Sequence, residues 1–325
     1  MNYEKVFNKL VDDTQKYMES NNVWAMILGI SGGIDSTLTA AICHEVEKRN
    51  SDLKFYGISL PCTSNTEDEN NSALRCMKAF CKEGQYWTEN LQKEFLFMKA
   101  SFSQRHLPTT IGQGNIKARL RMMYLYDLAN YMKGLVMDTD NLTEHYLGFF
   151  TIHGDVADLN PIGGLWKHEV YELVNWLRDH YDNFTKYVSP DSFDSKDEIE
   201  IKNEYAKKVN ALSYALNITP TDGNGVNNLG DMGQIASQFA HDNNYEAYKK
   251  VDDIIQTYLE YRGHHTEEYL IAMEELHKKY PPLVDNDYVV QDSVEEVISR
   301  INRTEYKRNT LPFVPTKREE LLKLT

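Results

Sequence analysis

Between residues 28 and 38 the chain reads LGISGGIDSTL. Gly32 and Gly33 carry no Cβ, so an oxyanion can come close to the main chain there. Ser31 and Ser36 offer hydroxyl donors. A helix starting near Asp35 would aim unpaired N–H groups and a partial positive charge at the same point. Phosphate suits such a corner. Asp35 would repel it unless a cation lay between them, which makes Asp35 a candidate Mg²⁺ ligand. The string is not a Walker A loop, which ends in Gly-Lys-Ser/Thr, nor a dinucleotide fingerprint, whose glycines are spaced differently. The competing reading is a plain strand-to-helix turn with Asp35 as a first-turn capping acid.

Further along, Thr139 and Asp140 stand at the end of a short apolar run, where ligands bind in open α/β sheets. Glu144 is a second carboxylate that could share a cation with Asp35, and Lys167 could neutralise phosphate charge. Lys117 and Arg121 lie four apart on one helical face, with Arg119 projecting elsewhere; a solvated basic face accounts for them equally well. Phe149 and Phe150 fit either plain core or a stacking face for a ring.

The elements that must carry these residues follow from periodicity. VWAMILGI (23–30) is an unbroken apolar run of strand length, as expected of a parallel strand covered on both faces. STLTAAICHEVEKR (36–49) is helical and ends in basic residues. LKFYGISLP (53–61) reads as a strand, TEDENNSALRCMKAFCK (66–82) as a helix with an acidic first turn, and GLVMDTDN (134–141) as a third strand. Residues 115–133 read as a helix capped by Asn115, and 168–181 as another. Strands alternating with helices predict a doubly wound, mainly parallel α/β sheet flanked by helices. Several amphipathic helices complete a helical C-terminal portion. Residues 189–204 carry six acids against two lysines and read either as a solvated excursion leading into a helix near 205–216 or, equally well, as the polar approach to an ordinary exposed helix; they form part of an acidic insertion at about 183–215 in a single domain spanning 1–325.

Bulk properties narrow the classes. A hydrophobic fraction of 41% with 26% charged residues suits a globular core, and a net charge of -14 argues against a general grip on nucleic acid. The four cysteines (Cys43, Cys62, Cys76, Cys81) form no C-x-x-C pair, so neither a disulfide framework nor a zinc site is expected. No apolar stretch reaches the roughly 20 residues of a membrane span, and the N-terminus lacks a signal-type apolar core. A soluble, cytoplasmic protein is the expectation.

SGGIDS resembles the SGG-x-D-S pyrophosphate loop of the N-type ATP pyrophosphatases. Within that superfamily, LTEHYLGFFTIHGDVADLNPIGGLWK (142–167), PTDG (220–223) and TEYKR (304–308) look like ammonia-dependent NAD synthetase. The resemblance covers most of residues 23–182, then returns at 218–223, at VDDIIQTYLEY (251–261) and at 303–308. It implies that Gly29, Ile30, Ser31, Gly32, Gly33, Ile34, Asp35 and Ser36 cradle ATP, with Thr139, Lys167 and Thr221 also touching it. Asp35 and Glu144 would hold Mg²⁺, and Asp35 and Lys167 would be catalytic. Arg119, Asp158, Tyr306 and Lys307 would contact deamido-NAD. The implied reaction joins ammonia to deamido-NAD through an acyl-adenylate, giving NAD, AMP and pyrophosphate.

The departures cluster on the dinucleotide side. The family's lysine after F-F-T is Ile152 here, its G-D-G-G-x-D loop is one residue shorter as GDVAD, its C-terminal histidine is Tyr306, and its GTD is DTD from Asp138. With no extension before residue 23 to hold a glutaminase, ammonia is expected from solution. In the family the 115–133 helix helps form a homodimer, matching an apolar stripe of Leu120, Met123, Leu128 and Met132. Two roles fit the acidic insertion, covering the site or extending an oligomer contact, and the sequence does not choose. Two rival functions are a relative acting on another acid or on tRNA, such as a thiolase, and a nucleotide sensor that needs no second carboxylate. The acidic balance and lack of cysteine pairs weigh against a tRNA thiolase, and Glu144 against the sensor.

Overall fold

VWAMILGI does form a strand covered on both faces. In the computed structural model, which describes residues 1–62, 65–187, 196–218, 235–264, 266–285, 288–310 and 316–323, it becomes β1 (Ala25–Gly29). Its neighbours are β2 (Lys54–Ser59) and β4 (Gly134–Met137), and β3 (Tyr86–Thr88) lies outside β2, giving the order β3-β2-β1-β4 with every pairing parallel. Alternate side chains of β1 serve opposite layers. Met26, Leu28 and Ile30 face a core shared with α1 (Tyr3–Ser20), α2 (Ile34–Arg49), α3 (Glu67–Phe80) and α7 (Lys167–Tyr187). Ala25 and Ile27 face a second core built on α5 (Thr110–Met132). Each fully buried Leu or Ile contributes roughly 1.5–3 kcal/mol, so register and layering are fixed together.

Helix starts follow local chemistry. Thr66 and Glu69 cap α3 reciprocally, satisfying two otherwise orphaned N–H groups. The helix expected from Asn115 begins earlier instead: Thr109 accepts from the Gly112 N–H and caps it. Asn115 then lies inside α5 and accepts a hydrogen bond from the Thr151 hydroxyl. The 12-residue helix α4 (Gln92–Ser103) and the antiparallel pair Leu283–Asp285 with Tyr288–Gln291 add elements that periodicity did not reveal. All four cysteines are free, and burial raises the Cys43 and Cys76 thiols, which removes them as nucleophiles. Among the described residues no helix is long and apolar enough to cross a membrane.

The acidic stretch leads into the helix expected near 205–216, and its described residues 199–204 stay mostly solvent-exposed. Residues 188–195 lie outside the described residues, but from residue 196 the chain is α8 (Lys196–Asn217), packed on α3 and α7. Lys208, Ala211, Leu212 and Ala215 are buried along one stripe. The Lys208 ammonium donates to Glu204 Oε1 at 2.5 Å and to His44 Nε2 at 2.9 Å, while His44 Nδ1–H donates to the Phe80 carbonyl at 2.8 Å. The imidazole is therefore neutral. Burial first, then the neighbouring Lys208 charge, push it down to about 4.

A depressed histidine stabilises the fold above its unfolded value near 6.5, and that stability is lost as pH falls through the folded value. The predicted loss between about pH 6.5 and 4 is on the order of 3 kcal/mol. Urea midpoints should fall across that window in the wild type and fall less in His44→Asn. Identical slopes would contradict this account of how α8 is anchored.

Candidate active site

Three segments meet at the carboxyl ends of β1 and β4. Asp35 lies in the first turn of α2 after β1, Glu144 on α6 (Leu142–Leu147) after β4, and Lys167 is the first residue of α7. The Asn141 side chain accepts from the Glu144 N–H, and Glu144 Oε2 accepts from the Asn141 N–H, both at 3.1 Å, so a capping box fixes α6. The other oxygen, Oε1, accepts from Lys167 Nζ at 2.9 Å. Lys167 Nζ also donates to Asp35 Oδ2 at 2.5 Å, and Asp35 Oδ1 accepts from Asn141 Nδ2 at 2.9 Å. The lysine side chain is 2% exposed, with its ammonium 5.3 Å from the Tyr248 ring centre.

Charge in this corner is crowded. Burial, opposed by Lys167 and reinforced by Asp35, pushes Glu144 up to about 7. Burial likewise pushes Asp138 up to about 7, and burial with Asp138, Glu144, Asp155 and Asp35 around it raises Asp140. Lys167 loses solvation, yet the two carboxylates outweigh that and raise it. One ammonium serves two carboxylates, and Asp140 Oδ2 is buried with no hydrogen-bond partner. Among the described residues no three His, Cys, Asp or Glu side chains form a metal cage. A hard divalent ion held by one or two carboxylates, with its remaining positions on water and phosphate, fits this donor set.

Beside the triad lies a cleft of about 340 Å³. It is lined by Gly29, Ile30, Ser31, Gly33, Ile34, Asp35, Ser36, Thr139 and Lys167, so the structure gathers nearly all the residues expected to hold ATP, together with Glu144. No side chain caps the start of α2, which leaves its first N–H groups facing the cleft. Gly32 lies outside this lining. It has φ of +85°, and a Cβ there would meet the Ala73 nitrogen at 2.4 Å. Its part is to make the turn and let α3 close in, where Ser72 donates to its carbonyl at 2.7 Å. Thr221 lies outside the described residues.

On the other side, two of the expected dinucleotide contacts converge on the 148–152 loop. Arg119 donates to the Ile152 carbonyl at 3.2 Å, and Lys307 to the carbonyls of Gly148 and Phe150 at 2.7 and 2.5 Å. Tyr306 is 66% exposed. Asp158 is not brought to this group: its carboxylate accepts from Tyr126 and from the Val136 N–H, each at 3.0 Å, beside the sheet. Asp155, earlier in the shortened loop, lines the cleft instead. So does Arg121, half-buried and donating to the Leu60 carbonyl and Asn65. Sequence spacing alone could not separate Arg121 from a solvated basic face.

The model of the family described as NAD synthase matches residues 6–222, two thirds of the chain. The chain belongs to the NAD synthase family. A relative named NH(3)-dependent NAD(+) synthetase, from Campylobacter jejuni, is 32% identical over 209 residues, 64% of this chain and 81% of the relative. One of the same name from Carboxydothermus hydrogenoformans is 35% identical over 180 residues, 54% and 71% of the two chains. Among solved structures, the NMN synthetase from Francisella tularensis superposes with a TM-score of 0.61 at 21% identity, covering 95% of this chain and 96% of that one; it speaks to the fold. The C. jejuni NH3-dependent NAD synthetase gives 0.50 at 26% identity, covering 67% and 97%. The chain is thus a ligase of the NAD synthase family with the expected parallel α/β sheet.

The two glycines of the family's loop should separate by experiment. Gly33 has φ of -72°, and a Cβ there meets only Ser31 Oγ at 3.4 Å. Gly33→Ala should melt near the wild type but bind ATP about tenfold or more weakly, because the methyl enters the anion's approach. Gly32→Ala should lower the melting temperature sharply, because roughly 1–3 kcal/mol of backbone strain adds to the clash. Calorimetry and ATP titration read both, and the reverse pattern would contradict the division.

Proposed function

We propose that this family member amidates deamido-NAD with ammonia at the expense of ATP, releasing NAD, AMP and pyrophosphate. The observation that carries this reading is the Lys167 ammonium held between Asp35 and Glu144 beside an uncapped helix start. It supports binding of a polyphosphate tail and does not by itself choose the acid; the family supplies that part.

A carboxylate is a poor electrophile because its leaving group is poor. Attack by the nicotinate oxygen on the α-phosphorus of ATP makes an acyl-adenylate, whose AMP then departs as ammonia adds to the acyl carbon. Negative charge grows on the departing pyrophosphate in the first step. The loop N–H groups and Lys167 would meet it there, as preorganised donors in a site shielded from water. Mg²⁺ held by Asp35 and Glu144 would neutralise phosphate charge. Thr139 and Thr221 would add contacts to ATP. Arg119, Tyr306 and Lys307 would meet the dinucleotide from the 148–152 side. Asp158, tied to Tyr126 and the Val136 N–H, would order the sheet edge behind it.

The homodimer that the resemblance implies would use the exposed side of α5, although most of its expected apolar stripe is taken up by the second core. Met123 is 60% and Tyr131 79% exposed, while Leu120, Leu128 and Met132 pack inward. Sedimentation at twice the chain mass would support it, and a single-chain mass would not.

The deciding assay is release of AMP and pyrophosphate from ATP with Mg²⁺ and ammonium, with and without deamido-NAD. Release that depends on deamido-NAD is expected, and Glu144→Ala should reduce it at least about 100-fold. Release driven by nicotinate mononucleotide or another acid instead would overturn the substrate and keep the chemistry. Unaltered nucleotide binding and no turnover in the wild type would favour a sensor.

A further inference from the structure

Two carboxylates stand side by side on the helix Asn244–Tyr261, and their surroundings differ. Asp253 faces outward to Lys279 and Tyr280, each at 2.9 Å. Asp252 is fully buried. Its Oδ1 accepts from the Thr143 hydroxyl at 2.5 Å, and its Oδ2 accepts from the His168 N–H at 3.0 Å and from His168 Nδ1–H at 2.8 Å. Thr143, also fully buried, accepts in turn from the Lys167 N–H at 2.8 Å.

These bonds fall at a vulnerable place. The first N–H groups of a helix have no acceptor within it, and α7 begins at Lys167. Each is met here by a side chain: Trp166 N–H by Glu169, Lys167 N–H by Thr143, and His168 N–H by Asp252. Glu169 is itself held by Arg318. One turn before Asp252 on the same helix, Tyr248 sets its ring beneath the Lys167 ammonium. Thr143 directly precedes Glu144. One hydroxyl and one carboxylate therefore join the element carrying Glu144 to the residue that supplies the ammonium.

We infer that Thr143 and Asp252 are positioning residues for the reaction, a clamp that sets Lys167 and Glu144 at their mutual distance. The inference rests on the proposed role of those two side chains. A hydroxyl has one proton and two lone pairs, so Thr143 can donate to Asp252 and accept from Lys167 at once. Valine has the same shape and can do neither. A purely structural network would lower stability on losing these bonds but leave turnover per folded molecule unchanged. A clamp on a group that acts in the transition state lowers kcat with little change in KM.

The test measures kcat and KM for ATP, by AMP release, together with melting temperature. Thr143→Val and Asp252→Asn should each lower kcat by about 10–100-fold per folded molecule, with KM for ATP within a few-fold of wild type. Thr143→Ser should restore most of the rate, and Asp253→Asn should match the wild type. Wild-type kcat in folded Thr143→Val or Asp252→Asn would overturn the clamp, as would a Thr143→Ser enzyme no faster than the valine variant. Should the valine variant fail to fold, Asp252→Asn carries the same comparison. Lys167→Met separates the two readings. If it abolishes turnover while Thr143→Val does not, the clamp alone is wrong; if it keeps turnover, the proposed role of Lys167 is wrong.

Discussion

A buried ammonium shared by two carboxylates is the interaction on which the rest of this structure depends. Isolated, the Lys167 charge would be expensive to bury; paired with Asp35 and Glu144 it becomes tenable. Meeting that condition requires three segments far apart in sequence to end at one point. The parallel sheet does this, because β1 and β4 are neighbours whose carboxyl ends open on the same side. The corner keeps a surplus of negative charge even so; burial first, and then for Glu144 and Asp140 the neighbouring carboxylates, make Glu144, Asp138 and Asp140 hold protons more tightly than usual. A site with this imbalance draws a further cation, and through it a phosphate.

The support for that corner reaches beyond the region by which the family is recognised. The family match ends at residue 222, yet Tyr248, Asp252, Lys307 and Arg318 all lie later and bear on the 144–169 segment or the loop after it. The C-terminal helices thus brace the start of α7 rather than forming a separate appendage. Helix α8 has a different place, on α2, α3 and α7 at a distance from the triad, held through Lys208 and neutral His44.

Much of this was legible in the residues. β1, β2 and β4 announced themselves as apolar runs, and α2, α3 and α7 by period and end chemistry. Asp35, Glu144 and Lys167 were named as partners, and the structure brings them together. β3 is three residues long and carries no alternation, so it left no signal. The start of α5 was misplaced because Asn115 looks like a cap, whereas Thr109 does that work. The helix of α8 was legible near 205–216 but its packing stripe was not: Lys208, Ala211, Leu212 and Ala215 follow helical spacing, and a lysine at its head reads as solvent-facing. Asp158 was aligned by motif to a substrate, and nothing local shows that Tyr126 and the Val136 N–H occupy its carboxylate. Asp252 was beyond sequence reasoning, since its partner Thr143 lies 109 residues away.

The central claim is that Asp35, Glu144 and Lys167 form one cation-and-phosphate site. Crystals soaked with ATP and Mn²⁺ test it most directly, because manganese is located by its own anomalous scattering. The account predicts an anomalous peak within coordinating distance of the Asp35 and Glu144 carboxylates, with the triphosphate against residues 31–36. A nucleotide bound elsewhere, with Lys167 still bridging both carboxylates and no metal beside them, would contradict it.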